Sequence, residues 1–144
     1  MKLKEIYQQL FESLTDDVKI IASTIYKLID HYERTGVPPC EINTGECMNF
    51  ADNLDVELSR IGLKGHDILS DAFFYDPFGD LDPDELYDPK DYGSTPTYDY
   101  KKYGMPGHYW IVYNNRHYDS ESPIGVDNFF ELETFKRWKK KYAK

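Results

Sequence analysis

His108-Tyr109-Trp110-Ile111-Val112-Tyr113-Asn114-Asn115-Arg116-His117-Tyr118-Asp119 decides the fold of this chain. Two apolar runs flank a pair of asparagines. Asn tolerates positive φ, so Asn114-Asn115 suits a two-residue type I′ turn, and the stretch predicts a β-hairpin over 108–113 and 116–119. A two-residue turn pairs Tyr113 with Arg116. Trp110 then faces Asp119, and His108 faces Glu121. Side chains alternate between faces along a strand, so His108, Trp110, Asp119 and Glu121 share one face. His117, opposite Val112, shares it too and is a secondary candidate base. Asp119 is a diagonal neighbour of His108, close enough for the longer side chains to meet. A register slip of one residue destroys this parity; a slip of two keeps it.

An imidazole beside a carboxylate calls for a nucleophile, and the chain offers one upstream. Cys47 lies in Asn43-Thr44-Gly45-Glu46-Cys47-Met48, where a loop is expected to turn into a helix. A cysteine in the first turn of a helix sits near unpaired N–H groups and the positive dipole end, which stabilise a thiolate. The same amides suit a developing oxyanion, with Gly45 allowing close approach and the Asn43 side chain as a further donor. In this arrangement Cys47 is the nucleophile, His108 the general base and acid, and Asp119 the orienting acid. Glu121 is the competing orienting acid, and with Trp110 it is placed at the substrate cleft. Each residue also has a plain structural explanation. Cys47 fits an apolar helix stripe, and a lone cysteine is commonly a small buried hydrophobe.

Gly45-Glu46-Cys47 at a helix start, His108-Tyr109-Trp110 on one strand and Tyr118-Asp119 on the next resemble the transglutaminase-like branch of the papain-like cysteine peptidase superfamily. The matching residues run from Gly45 to Asp119, about half of the chain. The resemblance implies a cysteine-bearing helix packed on an antiparallel sheet that carries the histidine and the acid. It also implies acyl transfer through a thioester, with peptidase, amidase, deamidase or transamidase outcomes. The chain departs from the pattern in lacking an evident glutamine or tryptophan donor upstream of the cysteine. A long insertion also separates the cysteine from the histidine.

Outward from these motifs, Leu3, Ile6, Tyr7, Leu10, Phe11 and Leu14 recur at helical spacing over about residues 3–14. Thr15 or Asp16 caps a second helix with a stripe of Val18, Ile21, Ile25, Leu28, Ile29 and Tyr32, stopped by Gly36, Pro38 and Pro39. Cys47, Phe50, Ala51, Leu54, Leu58 and Ile61 form a third stripe, ended by Gly62. Residues 66–75 read as a strand. Val126 to Tyr142 holds a last helix with a basic end, and Phe130, Phe135 and Trp138 are its candidates for burial.

Residues 71–100 stand apart, with nine acidic residues against one lysine, four prolines and eight aromatics. Proline excludes a long helix or central strand there. The aromatics argue against plain disorder. The segment reads as an ordered insertion, often functional where a domain keeps one. Asp80, Asp82, Asp84 and Glu85 are its candidate partner-binding residues. Asp80-Leu81-Asp82-Pro83-Asp84 starts like a calcium loop but lacks the glycine and terminal glutamate that such a loop needs.

Composition sets the bounds. The 144 residues suit a single domain, with a formal net charge of -9. That charge opposes direct nucleic-acid binding and favours a basic protein or peptide as substrate. No apolar run of about 18 residues predicts a membrane span. Cys40 and Cys47 form neither a disulfide framework nor a zinc pattern, so no metal or cofactor is expected, and a reducing cytoplasm is the simplest compartment. The expected fold class is α+β, with N-terminal helices and a cysteine-bearing helix on a small antiparallel sheet of three or more strands. The expected function is a cysteine hydrolase or acyltransferase acting on a protein or peptide amide. The second reading is a catalytically inactive acidic binding protein, a nucleic-acid mimic or inhibitor of a basic partner in the manner of small phage-type inhibitors.

Overall fold

A computed structural model describes residues 14–143. The helix expected over about residues 3–14 lies almost wholly outside the described residues. The architecture is α+β, built on a four-stranded antiparallel sheet in the order β1-β2-β3-β4. The strands are β1 Asp67–Ser70, β2 Tyr109–Tyr113, β3 Arg116–Asp119 and β4 Ser122–Val126.

The hairpin has the register expected from its turn: Tyr113 pairs with Arg116, Val112 with His117 and Ile111 with Tyr118. Asn114 and Asn115 take φ of 49° and 56°, as a type I′ turn requires. Alternation then divides the sheet between two cores. Ile111 and Tyr118 face helices α1 (Asp16–Arg34) and α2 (Cys47–Arg60), meeting Ile21, Ile25, Phe50, Leu54 and Leu58. Leu69, Trp110 and Val112 face the other way, onto Phe74, Phe129, Phe130 and Phe135. The last of these lies in the first turn of helix α3, Glu133–Tyr142.

Two expectations are corrected, and one strand is added to those singled out in the sequence. The strand beginning near His66 is short: it runs only from Asp67 to Ser70 and gives way to a 3₁₀ turn, Asp71–Phe73, capped by the Ser70 hydroxyl. The chain after Asp119 contains a strand before its helix. Pro123 sits in this edge strand, where its missing N–H costs no ladder bond. Ile61 is 53% exposed, so the α2 stripe ends with Leu58.

The acidic insertion is folded into the domain. Phe74 and Tyr100 belong to the second core, and Tyr75, Tyr92 and Tyr98 pack against it. Its tip stands clear of the core, with Phe78 83% exposed. No helix among the described residues is long and apolar enough to cross a membrane.

Candidate active site

His108 lies one residue before β2 and is buried, stacked on the Trp110 indole at 5.8 Å between ring centroids. Its Nε2 donates to Asp119 Oδ2 at 2.9 Å. Asp119 is itself buried, and its Oδ1 accepts the Glu121 N–H at 2.9 Å. That second bond fixes the carboxylate plane. Nδ1, the other imidazole nitrogen, is fully buried and makes no hydrogen bond of ordinary geometry. The thiol of Cys47 lies near enough to the imidazole for each to shift the other's proton affinity.

Burial alone disfavours both charged forms. The contacts outweigh it. Cys47 is held below the ordinary thiol value by His108 and by the N–H groups of Tyr109 and Met48. His108 is raised to about 9 by Asp119 and by the thiol, against the effect of burial. Both shifts favour a thiolate–imidazolium pair over the neutral thiol and imidazole. Cys47 is only half-buried, which removes the core-packing explanation for it.

The helical run that carries the thiol differs from the expectation. It begins at Pro39, passes through a π-helical segment, Ile42–Glu46, and becomes α-helical at Cys47. The cysteine therefore sits at a π-to-α junction, not in the first turn after a loop. Thr44 and Gly45 suggested a loop because neither favours a regular α-helix, and the wider π turn accommodates them. The thiolate is accordingly stabilised by its neighbours more than by a free helix end.

The other candidates separate clearly. Glu121 does not serve as the orienting acid: it is bound bidentately by Arg137 at 2.7 and 2.9 Å and by Asn43 Nδ2 at 2.7 Å. Asn43 is 5% exposed, and its Oδ1 accepts from Ser120 Oγ, so its amide is used inside the protein and is not the expected oxyanion donor. Trp110 is 1% exposed and forms the backing of His108, not a wall open to substrate. Gly45 is exposed, and a side chain there would meet open space, leaving room beside the thiol.

His117 is excluded as a base. Burial lowers its pKa to about 4. Its Nδ1 accepts from the Trp110 indole at 2.9 Å while Nε2 donates to Tyr92 O at 2.9 Å, which fixes a neutral structural tautomer. Strand alternation sets His117 on the face of His108; its neighbours decide its role. Asp80, Asp82, Asp84 and Glu85 lie on the exposed part of the insertion. Among the described residues no cluster of three potential ligands could hold a metal.

Two residues that support the site were not singled out by sequence. Asp71 Oδ2 accepts the N–H groups of Gly107 and His108 at 2.8 and 2.9 Å, pinning the backbone that carries the imidazole. Extending the β1–β2 register by one pair sets Asp71 opposite His108, a signal available once that pairing is known. Arg137 is the other; in the sequence it is one cation in a basic helix end. The chain matches no known family model, no curated protein and no solved structure.

Proposed function

We propose that this chain is a cysteine-nucleophile hydrolase or acyltransferase acting on a protein or peptide amide, with a core of the transglutaminase-like or papain-like kind. One observation carries the reading: a buried imidazole with one nitrogen on a buried carboxylate and the other unpartnered, and a half-exposed thiol close enough to the ring to shift its proton affinity. A buried polar atom without a partner costs stability, so its retention calls for a role.

The chemistry follows from the parts. Cys47 Sγ, as thiolate, attacks the amide carbonyl carbon and forms a C–S bond. His108 gives its Nδ1 proton to the departing nitrogen as the C–N bond breaks, leaving a thioester and a free amine. Water or a second amine then attacks the thioester. The now neutral imidazole removes a proton from that nucleophile and returns it to sulfur as the C–S bond breaks. Asp119 holds the imidazole orientation and steadies its charge throughout. The net charge of -9 favours a basic peptide as substrate.

An activated ester tests this without knowledge of the natural substrate. With p-nitrophenyl acetate, the protein should release nitrophenolate in a burst and carry one acetyl group on Cys47 by mass spectrometry. Cys47→Ala should abolish the burst, and His108→Ala should slow it by about 100-fold or more. A burst that survives Cys47→Ala would remove the nucleophile from the proposal.

A second reading rests on the exposed Phe78 beside Asp80, Asp82, Asp84 and Glu85. An apolar anchor within acidic residues suits a basic partner. A protein that keeps its full biological effect as Cys47→Ala and loses it on neutralising those four acids is a binder of this kind.

A further inference from the structure

Arg137 touches neither Cys47 nor His108, yet the network it belongs to reaches both. Its guanidinium grips both oxygens of Glu121, at 2.9 Å from Nη1 and 2.7 Å from Nη2, and Nη2 also reaches the Thr134 hydroxyl at 3.3 Å. Glu121 Oε1 accepts in addition from Asn43 Nδ2 at 2.7 Å. Asn43 stands four residues before Cys47 inside the π-helical segment. Its other amide atom, Oδ1, accepts from Ser120 Oγ, whose hydroxyl also lies 2.8 Å from Pro39 O at the start of the same helical run. On its main chain, Glu121 donates its N–H to Asp119 Oδ1, and Asp119 holds the imidazole. One residue thus grips the thiol-bearing segment through its side chain and the imidazole-bearing pair through its backbone.

We infer that Arg137, through Glu121 and Asn43, is a positioning residue that sets the approach of the Cys47 thiol to His108. The inference rests on the proposed role of Cys47 as nucleophile. A π turn has longer and fewer good backbone bonds than an α turn, so it needs external anchors to hold one geometry. Here the anchors are Asn43 and Pro39, and both attach to the turn between β3 and β4. The Glu121 side chain is 14% exposed, so its ion pair with Arg137 is shielded from water on one side. A bidentate guanidinium fixes the carboxylate plane as well as its position, which a single ammonium cannot do. Without Arg137 the carboxylate is free to rotate toward solvent, and Asn43 loses the acceptor that fixes its segment.

Charge alone would act in the opposite direction, and this makes the inference testable. The groups that face the thiol–imidazole pair are Asp119 and Asp71 from the sheet side, with Glu121 behind them. Loss of Arg137 leaves Glu121 uncompensated, which favours imidazolium and would preserve or raise thiolate reactivity. Loss of positioning lowers it.

The test is the rate of iodoacetamide alkylation of Cys47 between pH 5 and 10, in a Cys40→Ser background that leaves one thiol. Arg137→Met should slow alkylation by about tenfold near pH 7, as expected for a displacement of an ångström or less. It should move the acidic limb of the profile toward that of a free thiol. Arg137→Lys, which restores one donor but not the fork, should recover part of the rate. Glu121→Gln should fall between the parent and Arg137→Met, and serves in its place if the methionine variant does not fold. A folded Arg137→Met protein whose rate is unchanged or higher overturns the inference. A parent protein alkylated no faster than free cysteine overturns the nucleophile reading itself, and the positioning role falls with it.

Discussion

At the residue scale, the site is governed by how much charge a buried imidazole can hold. His108 is 1% exposed, and burial by itself would keep it neutral. The Asp119 carboxylate and the Cys47 thiol reverse that, raising it to about 9. Cys47 moves the other way, below its ordinary value of 9.0. The reactive pair therefore builds up as pH rises through the lowered thiol pKa and disappears as pH rises through the raised imidazole pKa. The alkylation or acylation rate that depends on a protonated His108 should follow a bell, with its alkaline limb near pH 9. Asp119→Asn removes the carboxylate that sustains the charge. In that variant burial dominates, the alkaline limb should move down by at least one pH unit, and the bell should narrow. A profile that rises as a single step with the midpoint of free cysteine, unchanged by Asp119→Asn, would show that no such pair exists. His117 marks the contrast. It has the same residue type on the same face, but with Trp110 and Tyr92 for partners in place of carboxylate and thiol it is held neutral.

At the element scale, the hairpin is the strongest determinant of the site, and β4 locks it. Arg116 lies along β4, with Nε on Ile124 O at 2.8 Å, Nη2 on Gly125 O at 3.2 Å and Nη1 on Asp127 at 2.9 Å. This close approach requires Gly125. Its φ is +79°, and a Cβ there would lie 2.8 Å from both Arg116 Cγ and Tyr118 Cε1. Tyr118 is fully buried and has nowhere to move. Gly125→Ala should thus destabilise the protein by about 2–4 kcal/mol through backbone strain and overpacking together. Urea denaturation would read the loss; a change below about 0.5 kcal/mol would mean that Arg116 and Tyr118 can yield to a Cβ at position 125. Because Asp119 and Glu121 lie in this hairpin, the same variant should also slow Cys47 alkylation.

At the scale of the whole molecule, the 71–100 segment serves two ends. Its flanks are structural: Phe74 is 2% exposed and packs on Phe129 and on Trp110, which backs the His108 imidazole. Phe74→Ala should cost about 3–5 kcal/mol. Its tip is different. The Tyr87 N–H donates to Phe73 O at 2.8 Å, so the two ends of the tip already meet. Replacing residues 77–85 with a short Gly-Ser linker should leave stability within about 1 kcal/mol, since loop-closure entropy changes slowly with length. Cys47 reactivity should survive as well. Thermal unfolding and alkylation of the two variants side by side would separate flank from tip. An unfolded linker variant would show that the tip, too, is part of the core. The tip holds four of the exposed acids, so any salt-dependent affinity for basic peptides should be lost with it while the thiol chemistry remains.

The sequence by itself determined the parts of this protein whose physics is local. Asn114-Asn115 sets a turn of two residues, and a two-residue turn sets the register. Period-two alternation then puts His108 and Asp119 on one face. Periodic apolar stripes mark α1 and α2, and Gly62 marks the end of the latter. Other features depended on neighbours distant in the chain. Asp119 and Glu121 have the same parity and the same chemistry; only Arg137 and Asn43, from two other elements, take Glu121 away from the imidazole. The π turn before Cys47 is invisible to α-helical spacing because it is held by Ser120 and Glu121 across the sheet edge. β4 was hidden by Pro123, which only an edge position tolerates, and an edge is a property of the assembled sheet. Periodicity reports which face a side chain occupies; hydrogen-bond partners and burial, which set its charge and role, exist only once the elements have packed.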